Sequence, residues 1–213
     1  MKHTDKMIFV SGIDTDAGKS YATGVLARRL MDAGKKVATL KLVQTGNEGG
    51  SEDIAVHRKI MGVELPEDAE LITAPVIFTY PSSPHLAARI DGKDIDFEHI
   101  DRCCELLAER YDVVLIEGAG GLMVPLTEDM LTIDYPAERN IPVILVTNGK
   151  LGSINHTILS LEAIASRNMT LHSVAYNKFY DTDAVIAPDT HSFIERYVNT
   201  HFPDAEIIDI PGV

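Results

Sequence analysis

Residues 7–20 read MIFVSGIDTDAGKS. An apolar run of the kind that forms a buried strand passes into a loop with glycines at 12 and 18, and Lys19 and Ser20 then open a helical pattern. A phosphate-binding loop requires this order. Glycine lets successive backbone N–H groups face one anion, and the helix N-terminus adds a favourable dipole. The lysine reaches the β- and γ-phosphates, and the hydroxyl can ligate magnesium. The strict spacing GxxxxGK[ST] asks for glycine at 13, where this chain has Ile13, so Gly12 stands one residue early. The strand before the loop and the helix after it carry the expectation that Gly18, Lys19 and Ser20 bind phosphate.

Working outward, short apolar runs at 7–11, 37–42, 113–116, 143–147, 173–176 and 206–210 alternate with helical patterns at 19–33, 53–61, 85–90, 97–110, 131–139, 153–166 and 184–199. Strands that are apolar throughout and alternate with helices predict an α/β chain with a mostly parallel central sheet and helices on both faces. This is a three-layer P-loop NTPase fold. Residues 1–213 are short enough for one nucleotide-binding domain. The least regular stretch, 62–84, contains Pro66, Pro75, Pro81 and Pro84 and is read as a long connection with an extra strand near 76–79.

The formal net charge of −13 argues against nucleic acid as a partner, since that role leaves a basic footprint. It does not argue against ATP, which backbone amides, one or two lysines and a magnesium ion can hold at one spot. The N-terminal apolar run is short and enters a glycine turn, so neither a signal peptide nor a membrane span is read there, and a cytoplasmic location is expected. Cys103 and Cys104 are adjacent within a helical pattern and are read as reduced. The histidines, His57, His99 and His156 among them, lack metal-ligand spacing and are read as surface or packing residues, His85 apart.

Magnesium on a triphosphate needs hard oxygen ligands beside the loop hydroxyl. In DVVLIEGAGG, Glu117 stands near the carboxyl end of a buried strand, where open α/β sheets assemble ligand sites. Asp53 follows the glycine-rich NEGGSED at a helix start, a position that also suits an N-cap. Lys41 ends the second strand and Thr45 follows it, so both are expected on the same edge as the loop.

These segments, in order SGIDTDAGKS, KLVQTG, SEDIAVHR, SSPHLAA, IEGAGGLMVPL, PVILVTNGKLGSINHT, AYNK and IPGV, resemble the dethiobiotin synthetase family along nearly the whole chain. The resemblance implies ATP-dependent closure of a cyclic urea from 7,8-diaminononanoate and carbon dioxide, the penultimate step of biotin synthesis, with Mg2+ and ATP. It implies Lys41, Lys19 and Thr15 as catalytic residues, with Ser20, Asp53 and Glu117 on magnesium. Asp16, Ala17, Gly18, Lys19, Ser20 and Tyr21 would wrap the phosphates, beside Gly118, Ala119 and Gly120. Asn177 would read adenine, with Lys178, Pro211, Gly212 and Val213 near it. Thr45, Gly121 and Leu122 would hold the diamine, together with Leu151 and Asn155 of a second subunit, so a homodimer is implied. His85, in the SPH segment, is left between a site role and a capping one.

Two departures stand out. NKFYD at 177–181 is similar to the guanine-reading N-K-x-D, but Asp181 comes one residue late, which favours adenine. Family members usually continue beyond IPGV with an acid that reaches the ribose, so a weaker hold on the nucleotide's far end is expected. The rival reading is a ParA- or MinD-like ATPase switch. Such switches carry a second lysine early in the loop, where this chain has Asp14.

Overall fold

The structure, a computed structural model, describes residues 1–212. In chain order the elements are β1 (Met7–Gly12), α1 (Lys19–Asp32), β2 (Val37–Lys41), β3 (Gln44–Thr45), α2 (Glu52–Met61), α3 (Pro66–Ala69), β4 (Ile77–Phe78) and α4 (Pro84–Asp91). There follow α5 (Phe97–Arg110), β5 (Val113–Gly121), α6 (Asp134–Glu138), β6 (Val143–Asn148), α7 (Ser153–Ser166), β7 (Leu171–Asn177), α8 (Ile186–His201) and β8 (Glu206–Ile210).

Six strands form one sheet in the order β2-β5-β1-β6-β7-β8, every pairing parallel. Successive side chains on a strand face opposite sides, so a sheet covered on both faces needs apolar residues at odd and even positions alike. Phe9, Val114 and Ile116 enter one apolar cluster with α5, α7 and α8, while Val10, Leu115 and Ile144 enter a second one under α1. The sheet is thus the middle of three layers, as expected. No helix among the described residues is long and apolar enough to cross a membrane.

The differences from the sequence reading lie in short or glycine-rich stretches. The strand expected near 76–79 is β4, which pairs with the two-residue β3 and not with the main sheet. The helix expected at 131–139 begins only at Asp134. Thr132 and Ile133 instead donate their N–H groups to Val124 O and Leu122 O, running back along the segment after β5. β5 extends through Gly121 because its glycines keep pairing with β1, Gly12 opposite Gly121. α3 was not expected; Pro66 at its first position pre-sets φ for a helix.

Asp68 of α3 ties this connection to α2. It accepts from Arg58 Nε (2.7 Å), Arg58 Nη2 (2.8 Å), Thr73 Oγ1 (2.6 Å) and Leu65 N (3.2 Å). Burial opposes its ionisation, but these bonds and the Arg58 charge outweigh it and hold the carboxyl below its ordinary value. A depressed folded pKa contributes stability that is present above the unfolded value of about 4 and lost as pH falls through the folded one. Asp68→Asn is expected to cost about 2 kcal/mol near neutrality, with the gap to wild type closing below about pH 4. Urea unfolding at pH 7 and pH 3 checks this.

Candidate active site

Parallel register decides where the chemistry gathers. Lys41 of β2 lies directly opposite Glu117 of β5, and Val10 of β1 flanks Glu117 on the other side. Residues paired across neighbouring strands put their side chains on one face. Lys41 Nζ accordingly sits 2.8 Å from Glu117 Oε1, and it also donates to Gly118 O at 3.1 Å. The first turn of α2, capped by Ser51 Oγ on Ile54 N, brings in Asp53, whose Oδ2 is 2.6 Å from the same ammonium. Ser20 Oγ donates to Asp53 Oδ1 at 2.6 Å, with Glu117 Oε1 3.0 Å away.

Glu117 is 0% exposed. Burial alone would disfavour its charge, but Lys41 and the hydrogen bond from His57 outweigh that and hold it far below the ordinary carboxylate range. Lys41 shows the converse. Burial opposes its ammonium, while Glu117 and Asp53 together raise its pKa above the usual lysine value. Lys19 is lowered to about 8, first by burial and then by the charge of Lys41.

Ser20, Asp53 and Glu117 present a hydroxyl and two carboxylates, the hard oxygens that magnesium prefers. Among the described residues no cluster of three or more acidic, histidine or cysteine side chains forms a metal cage. Two carboxylates beside a phosphate loop fit an ion that keeps waters and substrate oxygens in its shell.

The extra residue of the loop is absorbed by a 3-10 turn, Thr15–Ala17, capped by Asp14 Oδ1 on Thr15 N at 2.7 Å. Lys19 Nζ curls back to donate to Asp14 O and Thr15 O, each at 3.0 Å. Gly18 ends the turn at φ +87°, a left-handed conformation open to glycine. Asn177, at the end of β7, leans on this glycine. Its Nδ2 donates to Ala17 O at 3.3 Å, and its Oδ1 accepts from Phe179 N at 3.1 Å.

A cavity of about 340 Å³ connects these parts. The loop contributes Thr15, Asp16, Gly18, Lys19, Ser20 and Tyr21, and the strand ends contribute Lys41, Glu117, Ala119 and Gly120. Thr45 and Asp53 complete its wall with Val43, Gln44 and Tyr180, three residues that the sequence reading missed. Ala17 is buried beneath the loop and Gly118 packs on Phe9. Gly121 and Leu122 line a neighbouring cavity of about 370 Å³ with Met123, His156 and Leu159. Leu151 and Asn155 are exposed and line neither. Lys178 pairs with Asp209, and Pro211 and Gly212 follow β8 beside Lys178 and Phe179. Val213 lies outside the described residues. His85 Nδ1 is 3.0 Å from Ser83 Oγ and lies outside the main cavity. Asp181 takes the Tyr176 hydroxyl at 3.3 Å. Cys103 and Cys104 are free and buried, and burial pushes the Cys104 thiol up to about 12.

His57 is a further residue the sequence reading passed over. Fully buried, it stands 2.7 Å from Glu117 Oε2 through Nε2 and 3.0 Å from Thr39 Oγ1 through Nδ1. The available signal was its spacing, four residues after Asp53, which puts both on one helix face.

Fold and site together define a P-loop nucleotide-binding protein of the NTPase class. Residues 6–203 match the AAA domain family AAA_26. The chain is 49% identical to ATP-dependent dethiobiotin synthetase BioD 2 of Pasteurella multocida over 98% of this chain and 99% of that one. It is 45% identical to dethiobiotin synthetase BioD of Chlorobaculum tepidum, over 96% and 87% of the two chains. The chain belongs to the dethiobiotin synthetase family, ATP-dependent ligases of biotin biosynthesis. Similar solved structures include the MinC:MinD complex of Aquifex aeolicus (TM-score 0.55, 16% identity, 98% and 82% coverage) and pNOB8 ParA bound to nonspecific DNA (TM-score 0.56, 13% identity, 97% and 85% coverage). At such identity they share the fold alone, and the switch reading loses to the synthetase one.

Proposed function

We propose that this protein converts 7,8-diaminononanoate, carbon dioxide and ATP into dethiobiotin, ADP and phosphate in the cytoplasm, as a homodimer. The observation that carries the residue assignments is the meeting of Lys41, Asp53, Glu117 and Ser20 within hydrogen-bond distance at the mouth of the phosphate loop.

One amine of the diamine adds to carbon dioxide and loses a proton, giving a carbamate. A carbamate oxygen then attacks the γ-phosphorus as the bond to ADP breaks. The second amine attacks the carbamoyl carbon of the resulting mixed anhydride and loses a proton, phosphate leaves, and the ring closes. No covalent enzyme nucleophile is needed, so the protein works by positioning and charge. Lys41 holds the carbamate oxygens and the transferring phosphoryl group, while Lys19 and the amides of the loop at 15–20 hold the β- and γ-phosphates. Ser20, Asp53 and Glu117 would hold magnesium, which supplies charge neutralisation on the phosphates. Thr45 and the backbone at 118–122 receive the diamine.

The second subunit is supported by the apolar surface beside Gly121 and Leu122. Met123 and Leu159 are exposed there, and Leu151, just before α7, is 85% exposed. Leu151 and Asn155 of a neighbouring copy would complete the diamine pocket.

Labelled bicarbonate tests the reaction. A free carbamate loses carbon dioxide in acid, whereas a cyclic urea keeps it. Acid-stable label is expected only with diamine, ATP and a divalent cation together, and EDTA is expected to abolish it. Absence of acid-stable label under complete conditions would refute the proposal.

A further inference from the structure

Glu117 has two carboxylate oxygens with different surroundings. Oε1 faces the site, 2.8 Å from Lys41 Nζ and 3.0 Å from Ser20 Oγ. Oε2 faces inward, where His57 Nε2 at 2.7 Å is its hydrogen-bond partner. Both residues are fully buried, so no solvent stands in for that bond.

The proton arrangement is read from the groups on the two sides of the ring. Arg58 Nη1 donates to Thr39 Oγ1 at 2.8 Å, and a guanidinium has no acceptor. The Thr39 hydroxyl therefore accepts from Arg58 and keeps its own proton free for His57 Nδ1, 3.0 Å away. The ionised Glu117 carboxylate only accepts, so His57 Nε2 carries the proton of the bond between them. Arg58 is itself held by Asp68 through two bonds. The chain runs from Asp68 through Arg58, Thr39 and His57 to Glu117. Two local periodicities assemble it: Thr39 and Lys41 share a face of β2, and Asp53 and His57 share a face of α2.

We propose that His57 is a positioning residue of the metal site, locking the Oε2 edge of Glu117 so that Oε1 stays turned to Ser20 and the bound cation. A carboxylate pinned at one oxygen presents a fixed ligand, and loss of such an outer partner typically weakens metal binding about 10–100-fold. The inference rests on Glu117 being a ligand, and the experiment separates the two claims.

Manganese(II) binding to the full-length protein is followed by electron paramagnetic resonance, with thermal unfolding as a control for folding. His57→Leu is expected to weaken binding about tenfold or more. His57→Gln, whose amide nitrogen can replace Nε2, is expected to restore most of it. Thr39→Val, which frees the tautomer, is expected to fall between them. Glu117→Gln is expected to lose binding. If Glu117→Gln loses binding while His57→Leu and Thr39→Val match wild type, the positioning role is overturned and the metal site stands. If Glu117→Gln also binds as wild type does, the site assignment falls and takes the inference with it. Should His57→Leu fail to fold, Thr39→Val decides, and unchanged affinity there overturns the proposal. In nitrogen-15 spectra a proton is expected on His57 Nε2; an unprotonated Nε2 would equally overturn it.

Discussion

Lys41→Met is expected to lower dethiobiotin formation by about a hundred- to a thousandfold, the range for removing one preorganised charge donor from a transition state. The same substitution is expected to destabilise the free protein. Lys41 offsets two carboxylates, one of them fully buried, and truncating one partner of a buried ion pair costs about 3–5 kcal/mol. The ion pairs at 2.6 and 2.8 Å place both effects on the same ammonium. Replacing both partners of a buried pair is far milder than replacing one. Lys41→Met with Glu117→Gln is therefore expected to recover most of the lost stability and none of the activity. Urea unfolding and product formation, read on the single and double variants, separate the two roles. Equal stability of wild type and Lys41→Met would show that the ammonium does not hold the site together.

Gly18→Ala is expected to weaken ATP binding about a hundredfold. The left-handed conformation at Gly18 costs any other residue about 1–2 kcal/mol. A Cβ there would stand 2.1 Å from Asn177 Nδ2, an overlap that forces the amide or the loop to move. Asn177 holds Ala17 O, so moving it relaxes the 3-10 turn away from the arrangement in which its amides would face the phosphates. At about 1.4 kcal/mol per factor of ten, strain of roughly 3 kcal/mol accounts for the loss. Adding Asn177→Ala removes the overlap but not the backbone cost, so partial recovery is expected in a calorimetric ATP titration. Wild-type affinity in Gly18→Ala would contradict this account of the loop.

Much of this architecture is legible in the sequence because buried parallel strands and amphipathic helices carry strong patterns. The helices at 97–110 and 153–166 and the strand at 206–210 have the expected limits. Where the pattern is short, tertiary pairing decides. β3 and β4 have two residues each, too few for any period to register. Leu131, Thr132 and Ile133 carry a helix-like pattern, yet their backbone bonds go to the segment after β5. The glycines of EGAGG read as a break in the strand, whereas lacking side chains lets them pair on beside the phosphate loop.

The candidate site divides in the same way. Glu117, Asp53, Lys41 and Ser20 were readable because each stands at a strand end or a helix start, and the fold brings those ends together. His57 was not, because a histidine within an apolar helix face looks like packing until the neighbouring strand supplies Glu117 and Thr39. Asn177 was read as a contact for the base. Its amide bonds Ala17 and Phe179, so a base there would have to share it with the loop.

The most direct test of the function is phosphate release from MgATP and bicarbonate, measured with and without 7,8-diaminononanoate. The account predicts release that requires the diamine and equals the dethiobiotin formed, one phosphate per ring. Release at the same rate without the diamine would contradict it.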